Sequence, residues 1–230
     1  MNAPTISIIL PVLNEAAVIE ASLNQLQDVP AVEVIVVDGG SQDDTVAIAQ
    51  SFGAKVLTTA AVGRAYQMNA GVCAASGDIL LFLHADTRLP AEFDRLVRQA
   101  LQTPGTVAGA FELKIDANLR GLRLLEKLVN WRSHFLSLPY GDQAIFLKAT
   151  TFQDLGGFPN LPIMEDFELI RHLKHQGRIA IISTPVLTSG RRWQKLGVLK
   201  TTLINQLIIA SYLLGISPTK LRRWYSAAGK

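Results

Sequence analysis

Cys73 is the only cysteine among 230 residues, so no disulfide can form within the chain and its core must be held by packing. That favours a reducing compartment, and the expected location is the cytoplasm. Acids are missing from the C-terminal quarter. Glu168 is the last of the 19, and residues 169–230 carry 11 Lys and Arg with no counter-charge. The net charge of +3 therefore hides an acidic body and a basic end. The acids suit a cation. The basic end suits phosphates or an anionic membrane, unless it is only a solvated face. Long apolar runs are absent too. A membrane span needs about 20 mostly apolar residues, and in "LGVLKTTLINQLIIASYLLGISPTKLRRWY" the run is broken by Lys200, Asn205 and Gln206. The start, "MNAPTISIILPVLNEA", has no basic leader and is interrupted by Pro11, so it does not read as a signal peptide.

Glycine is also missing where two nucleotide-binding classes need it. The turn after the first strand reads "PVLNEAA", with no G-x-G-x-x-G, and the P-loop pattern occurs nowhere. Phosphates must be handled without a glycine cradle, and a divalent ion held by oxygen ligands at a strand end would serve instead.

What is present is an alternation of strands and helices. "TISIILPVL" is an apolar, β-branched strand and "NEAAVIEASLNQLQ" a helix. Val32–Val37 is a second buried strand closing on Asp38 and a Gly-rich turn. A helix to Gly53, a third strand "AKVLTT", a helix from Arg64 to Gly77 and a fourth strand "DILLFLHAD" follow. This predicts an α/β fold, a single Rossmann-like domain over 1–230 whose mostly parallel central sheet is flanked by helices. In such sheets ligands bind outside the carboxyl ends of the strands. Those ends carry Pro11–Glu15, Asp38–Ser41 and His84–Asp86, and alternation puts His84 and Asp86 on one side of an extended chain. The second half is less regular, with helices over "AEFDRLVRQAL", "LRGLRLLEKLVNWRSHFL" and "IMEDFELIRHLKHQG" and strands over "VAGAFELKID" and "RIAIIST". Residues 195–230 read as a basic, apolar helical segment that suits a membrane surface, the core or a second copy.

In this order, "SIILPVLNE", "VIVVDGGSQDDT", "GRAYQMNAG", "FLHADT", "IMEDFELIRHL" and "SGRRW" resemble family 2 glycosyltransferases of the GT-A fold over nearly the whole chain. The likeness is greatest to the short bacterial subgroup often labelled radical-SAM/selenodomain-associated transferase 2. The resemblance implies a metal-dependent, inverting transfer of a sugar from a nucleotide-diphosphate sugar to a hydroxyl acceptor, lipid-linked or free. It implies donor contacts from Pro11, Asn14, Glu15, Asp38, Gly39, Gly40, Arg64, His84, Arg192 and Trp193. Asp86 matches the last acid of D-x-D and would hold Mn²⁺ or Mg²⁺; His84 stands where Asp is commoner and would ligate, hydrogen-bond the donor or pack. Asp166, second acid of "ED", would be the general base, with Glu165, Asp142 and Gln143 on the acceptor side. Ser189 replaces the leading Gln of Q-x-x-R-W, which points away from processive synthesis.

Each residue also has a plainer reading. Asp38 is a turn aspartate, Asn14 and Glu15 start a helix, Arg64 lies on the surface, and Glu165 and Asp166 complement a helix dipole. Two rival functions remain at this point. A sugar-1-phosphate nucleotidyltransferase should carry a Gly-rich, basic first loop, which "PVLNEAA" is not. A non-catalytic nucleotide-binding module need not keep Asp38, Asp86 and Asp166 together. Nucleic acid is not an expected partner.

Overall fold

The computed structural model describes residues 3–59 and 63–228. Its first half is a run of parallel strands and crossover helices: β1 (Ile6–Val12), α1 (Ala16–Leu23), β2 (Val32–Asp38), α2 (Thr45–Ser51), β3 (Lys55–Thr58), α3 (Arg64–Cys73) and β4 (Ile79–Phe82). Then come β5 (Thr87–Arg88), α4 (Phe93–Gln102), β6 (Thr106–Asp116), α5 (Leu122–Leu136), a 3₁₀ turn at Gly141–Gln143, β7 (Phe146–Lys148) and α6 (Ala149–Asp154). The chain closes with α7 (Glu165–Leu173), β8 (Arg178–Ser189), α8 (Arg191–Leu196), α9 (Val198–Leu213) and α10 (Pro218–Ala228).

One sheet joins all eight strands in the order β3-β2-β1-β4-β7-β6-β8-β5. β1 pairs in parallel with β2 and β4, and β2 with β3. β7 runs antiparallel to both β4 and β6, while β8 is parallel to β6. The expected mixed α/β architecture with a mostly parallel sheet is therefore observed. Both faces of the sheet are covered, which is why its central strands read as unbroken apolar runs rather than as alternating ones. In β1, Ile6, Ile8 and Leu10 enter one core layer and Ile9 the other. In β4, Ile79 and Leu81 enter the first and Leu80 and Phe82 the second. Gly71 lets α3 lie close against the sheet, since a Cβ there would meet Ile9 Cγ2 at 2.5 Å.

Several boundaries differ from expectation. α1 stops at Leu23, short of Gln27, and α3 stops at Cys73, short of Gly77. Gly77 is jammed against β1, with a Cβ there only 2.5 Å from Ser7 Oγ, so the link into β4 has no room for another helical turn. β4 ends at Phe82, before His84. β8 runs on to Ser189 because its second half pairs with β6 as far as Asp116. The C-terminal segment is three helices, broken at Gly197 and Gly215, both at positive φ. Ile208 of α9 and Leu221 of α10 pack with Ile163, Met164 and Phe167, so this end is folded against the loop that leads into α7. Among the described residues, no helix is long and apolar enough to cross a membrane.

Candidate functional site

In the strand order 3-2-1-4 the strands run parallel, but the order of their succession reverses between β1 and β4, and the carboxyl ends of these strands border the crevice where such sheets take ligands. The three expected loops meet here, but they do different things.

The loop after β2 is held by Asp38. Its carboxylate is 3% exposed and accepts the backbone N–H of Gly40 at 3.0 Å and of Ser41 at 3.1 Å, together with the Ser41 hydroxyl. Gly40 sits at φ 97°, a left-handed value that favours glycine. Gly39 donates to Val12 O and approaches Gln67 closely, locking the ends of β1 and β2 together. Asn14 does not cap α1. It lies at φ 54° and its Oδ1 accepts Gln42 N–H at 2.7 Å, while Asp43 Oδ2 accepts Ala16 N–H at 3.1 Å. Asp43 Oδ1 also takes Thr45 N–H, so this one acid serves the starts of both α1 and α2. Capping is thus removed from Asp38, which holds its own loop, and from Asn14, which ties that loop to the one after β1. Pro11 is inside β1, opposite Val37.

The loop after β4 carries the pair that alternation brings together. Although the strand stops at Phe82, its side-to-side pattern continues: Leu83 and Ala85 enter the first core layer, and His84 and Asp86 face a cavity. This cavity, about 380 Å³, lies between the end of β4, the 141–143 turn, the start of α7, the 188–193 segment, α9 and α10. Pro11, Asn14, Glu15, Asp38, Gly39 and Gly40 are outside its lining.

Two arginines organise the acids. Arg64, at the start of α3, places Nη1 2.9 Å from His84 Nε2 and Nε 3.0 Å from Glu165 Oε1. A guanidinium only donates, so His84 Nε2 accepts and the imidazole is neutral. Burial, and then the Arg64 charge, push the His84 pKa down to about 3. Glu165 is 2% exposed and its pKa is raised by burial, against the pull of Arg64. It therefore anchors Arg64 behind the cavity and is not presented to an acceptor. Arg191 donates to Asp86 Oδ2 at 3.2 Å and to Glu15 Oε2 at 3.1 Å. This arginine, one residue before the Arg192 that the motif singles out, is the one that joins the β1 and β4 loops.

Asp166 lines the cavity at the N-terminus of α7. Its Oδ2 accepts Gly141 N–H at 2.7 Å and its Oδ1 accepts Phe167 N–H at 2.8 Å, so the carboxylate is held at both oxygens. Met164, just before the helix, is in the left-handed region at φ 72°, and this strained residue starts the helix so that Asp166 faces the cavity while Glu165 turns behind it. Gln143 is not an acceptor-side residue. It is fully buried; its Oε1 accepts Ser133 Oγ at 2.9 Å and Tyr140 N–H at 3.2 Å, and its Nε2 donates to Phe111 O at 2.8 Å. It shapes the 141–143 turn from below.

That turn delivers Asp142 to the cavity. Burial raises its pKa to about 6, against the opposing charge of Arg132, and Asp166 adds to the rise. A carboxyl raised in the folded state favours folding below its unfolded pKa and loses that contribution as pH climbs through the folded value. Asp142→Asn is therefore expected to raise the melting temperature at pH 8 and to leave it unchanged near pH 4. Thermal melts across this range check it; equal shifts at both pH values would contradict a buried, ionising Asp142. Arg191, Tyr140, Asn205 and Tyr225 also line the cavity, and the sequence offered only their sign or aromatic character as a signal.

The residues fit a divalent ion in one way only. Among the described residues no group of three His, Cys, Asp or Glu side chains converges on a point. Asp86 supplies one carboxylate, and the lone pair of His84 is engaged by Arg64. An ion of the Mg²⁺ or Mn²⁺ type is commonly held by one or two carboxylates plus substrate phosphates and water. Asp86 suits that arrangement and not a dedicated protein cage.

A doubly covered α/β sheet with acids and arginines gathered at its switch point is the architecture of α/β proteins that take their ligands at the carboxyl ends of the strands. The sequence profile of "Glycosyl transferase family 2" matches residues 7–156, and the chain belongs to that family. A PGL/p-HBAD biosynthesis glycosyltransferase from Mycobacterium bovis is 43% identical over 108 residues, covering 44% of this chain; the match spans only 42% of that relative. Glucosyl-3-phosphoglycerate synthase from Mycobacterium tuberculosis, solved with Mn²⁺, UDP and glucosyl-3-phosphoglycerate, superimposes with a TM-score of 0.63 at 25% identity, covering 87% of this chain and 79% of that one. The mannosyltransferase PcManGT from Pyrobaculum calidifontis, solved with GDP-Man and Mn²⁺, gives a TM-score of 0.61 at 20% identity over 99% of this chain and 70% of its own. These likenesses establish the GT-A fold expected from the sequence.

Proposed function

We propose that this protein transfers one sugar from a nucleotide-diphosphate sugar to a hydroxyl acceptor, with inversion at the anomeric carbon. The observation that carries the reading is that Asp86, at the end of β4, and Asp166, at the start of α7, line one cavity although 80 residues separate them. Asp86 is the residue that would hold a divalent ion, Mn²⁺ or Mg²⁺, and such an ion would supply positive charge to neutralise a leaving diphosphate. Asp38, with Asn14, Glu15 and the Gly39–Gly40 turn, forms the nucleoside side of the rim. Arg64 keeps His84 neutral and in place beside the donor.

Asp166 takes the proton of the acceptor hydroxyl as the new C–O bond forms and the bond from the anomeric carbon to the phosphate oxygen breaks. The nucleoside diphosphate leaves with the bonding electrons. Gly141 and Phe167 N–H groups fix the carboxylate while leaving each oxygen a further lone pair. Ser189 in place of the motif's Gln fits single transfer. Thermal-shift screening with UDP-, GDP- and dTDP-sugars, with and without Mn²⁺, tests the donor. Ligand at 100 times its dissociation constant stabilises the folded state by about 2.7 kcal/mol. No shift with any of them in either condition would contradict the reading.

The proposed setting is the cytoplasm, at the inner membrane face. Leu124, Leu128, Trp131 and Phe135 form one exposed stripe along α5, and Leu199, Leu203, Leu207 and Leu214 another along and just beyond α9; Leu199 is 86% and Leu214 82% exposed. Exposed apolar stripes of this size call for a covering surface. The acid-free, basic sequence around α9 matches an anionic lipid face. Flotation with phosphatidylglycerol-containing vesicles is expected to carry the protein at low salt and to release it at high salt. No association at low salt, with a concentration-dependent dimer in light scattering, would assign the stripes to a second copy.

A further inference from the structure

The charge asymmetry of the chain reappears in the cavity. Its acids, Asp86, Asp142 and Asp166, all come from the first 168 residues. The opposite contribution, from Arg191, Arg192, Trp193, Asn205 and Tyr225, contains no acid. Within it the two adjacent arginines differ. Arg191 is committed to Asp86 and Glu15. Arg192 has its guanidinium 3.8 Å from the centre of the Tyr225 ring, which fixes its plane. Arg192 Nε and Nη2 are buried without a hydrogen-bond partner among the described residues, and so is Trp193 Nε1.

Buried donors are nearly always satisfied, and those that are not need an explanation. Nε and Nη2 are the two parallel donors of one guanidinium edge, the edge that grips a carboxylate or phosphate through paired bonds. A third N–H, the Trp193 indole, comes from the next residue. Two buried acceptors, Asp142 Oδ1 and Asn205 Oδ1, are likewise unpartnered among the described residues and border the same cavity. Asn205 and Tyr225 belong to α9 and α10, beyond the residues matched by the family profile. This end of the cavity is therefore built by the C-terminal helices.

We propose that the acceptor carries an oxyanion, a phosphate or carboxylate group, seated on Arg192 Nε and Nη2 and Trp193 Nε1, with its hydroxyl turned toward Asp166. The motif resemblance would give Arg192 to the donor diphosphate. Here Arg191 already stands at Asp86, and Arg192 is held apart against Tyr225. The assignment of this anion to the acceptor rests on the proposed transfer reaction; the anion site itself does not.

The test uses the full chain labelled with ¹⁵N. Its three tryptophans, Trp131, Trp193 and Trp224, give three indole N–H signals, and Trp193→Phe identifies the one of interest. Inorganic phosphate is the probe. The Trp193 signal is expected to move downfield on titration while the other two stay, and Arg192→Gln is expected to weaken phosphate binding at least tenfold. The affinity of Arg192→Gln for UDP and GDP with Mg²⁺ is expected to equal that of wild type. A Trp193 signal unmoved by phosphate overturns the site. Equal weakening of nucleoside diphosphate in Arg192→Gln overturns the acceptor assignment and returns Arg192 to the donor. If wild type binds neither nucleotide, the transfer reading fails, and the phosphate titration still decides the anion site. Phosphatidylglycerol vesicles separate two sources of the anion. Loss of flotation in Arg192→Gln assigns it to a lipid headgroup, and unchanged flotation to a soluble acceptor.

Discussion

Asp166→Asn is expected to keep donor and metal affinity and to lose sugar transfer by 10²–10⁴-fold, the usual worth of a general base and roughly 3–5 kcal/mol of barrier. The argument is one of placement. Asp166 is on α7, a different chain segment from the loops after β1, β2 and β4, and its side-chain hydrogen bonds go to Gly141 and Phe167 and not to those loops, so removing its basicity leaves the donor rim intact. Asparagine keeps the size of the side chain, and its one carbonyl can still accept Gly141 N–H. It then turns an NH₂ group toward Phe167 N–H, a local cost that a melting curve will register separately. Transfer assays beside calorimetric titration of a nucleotide sugar separate the two effects. Near wild-type transfer would move the base elsewhere, with Asp142 the next candidate, because it borders the same cavity with its pKa pushed up to about 6. Loss of donor binding along with turnover would make Asp166 a donor-site residue.

Asp86→Ala is expected to remove the metal-dependent part of donor affinity. The structure limits collateral damage. Among the described residues the Asp86 side chain has one ion-pair partner, Arg191, which retains Glu15 when Asp86 is lost. The fold should therefore stand. A single charge-assisted contact is worth about 1.5–3 kcal/mol, so affinity in the presence of Mn²⁺ should fall roughly ten- to hundredfold, and affinity without metal should change little. Titration of wild type and variant with a nucleotide sugar, each with Mn²⁺ and with chelator, gives the four values needed. Wild-type affinity in the variant with Mn²⁺ would exclude Asp86 from metal binding. Equal losses with and without metal would make Asp86 a positioning residue for Arg191.

How far the sequence foretold this site depends on how local each signal is. The parallel β1–β4 core was legible because both faces of those strands are buried, and unbroken Ile, Val and Leu runs between turn residues have few other readings. The pairing of His84 with Asp86 was legible for the same reason, since side-chain alternation outlasts the strand by four residues. The role of His84 was not legible. Its lone pair is taken by Arg64, 20 residues away on α3, and no local pattern encodes that meeting. Gln143 was expected beside Asp142 on the acceptor side, but a single 3₁₀ turn sends neighbouring side chains to opposite environments, one into the cavity and one beneath it. The choice between Arg191 and Arg192 depends on which face of the short helix α8 meets the β4 loop. The basic C-terminal end was visible as charge; its use as a wall of the cavity required α9 and α10 to fold back over α7.

The most direct measurement follows the anomeric carbon itself. The purified chain, incubated with Mn²⁺ and the nucleotide sugar that stabilises it, should transfer the sugar to an added acceptor or slowly to water. Proton NMR of the first product formed should show the anomer opposite to that of the donor, with one nucleoside diphosphate released per sugar. Asp166→Asn should show neither product at a comparable rate. Retention of the donor's anomeric configuration, or donor binding with no bond cleavage by the wild-type chain in the presence of metal, would contradict the proposed function.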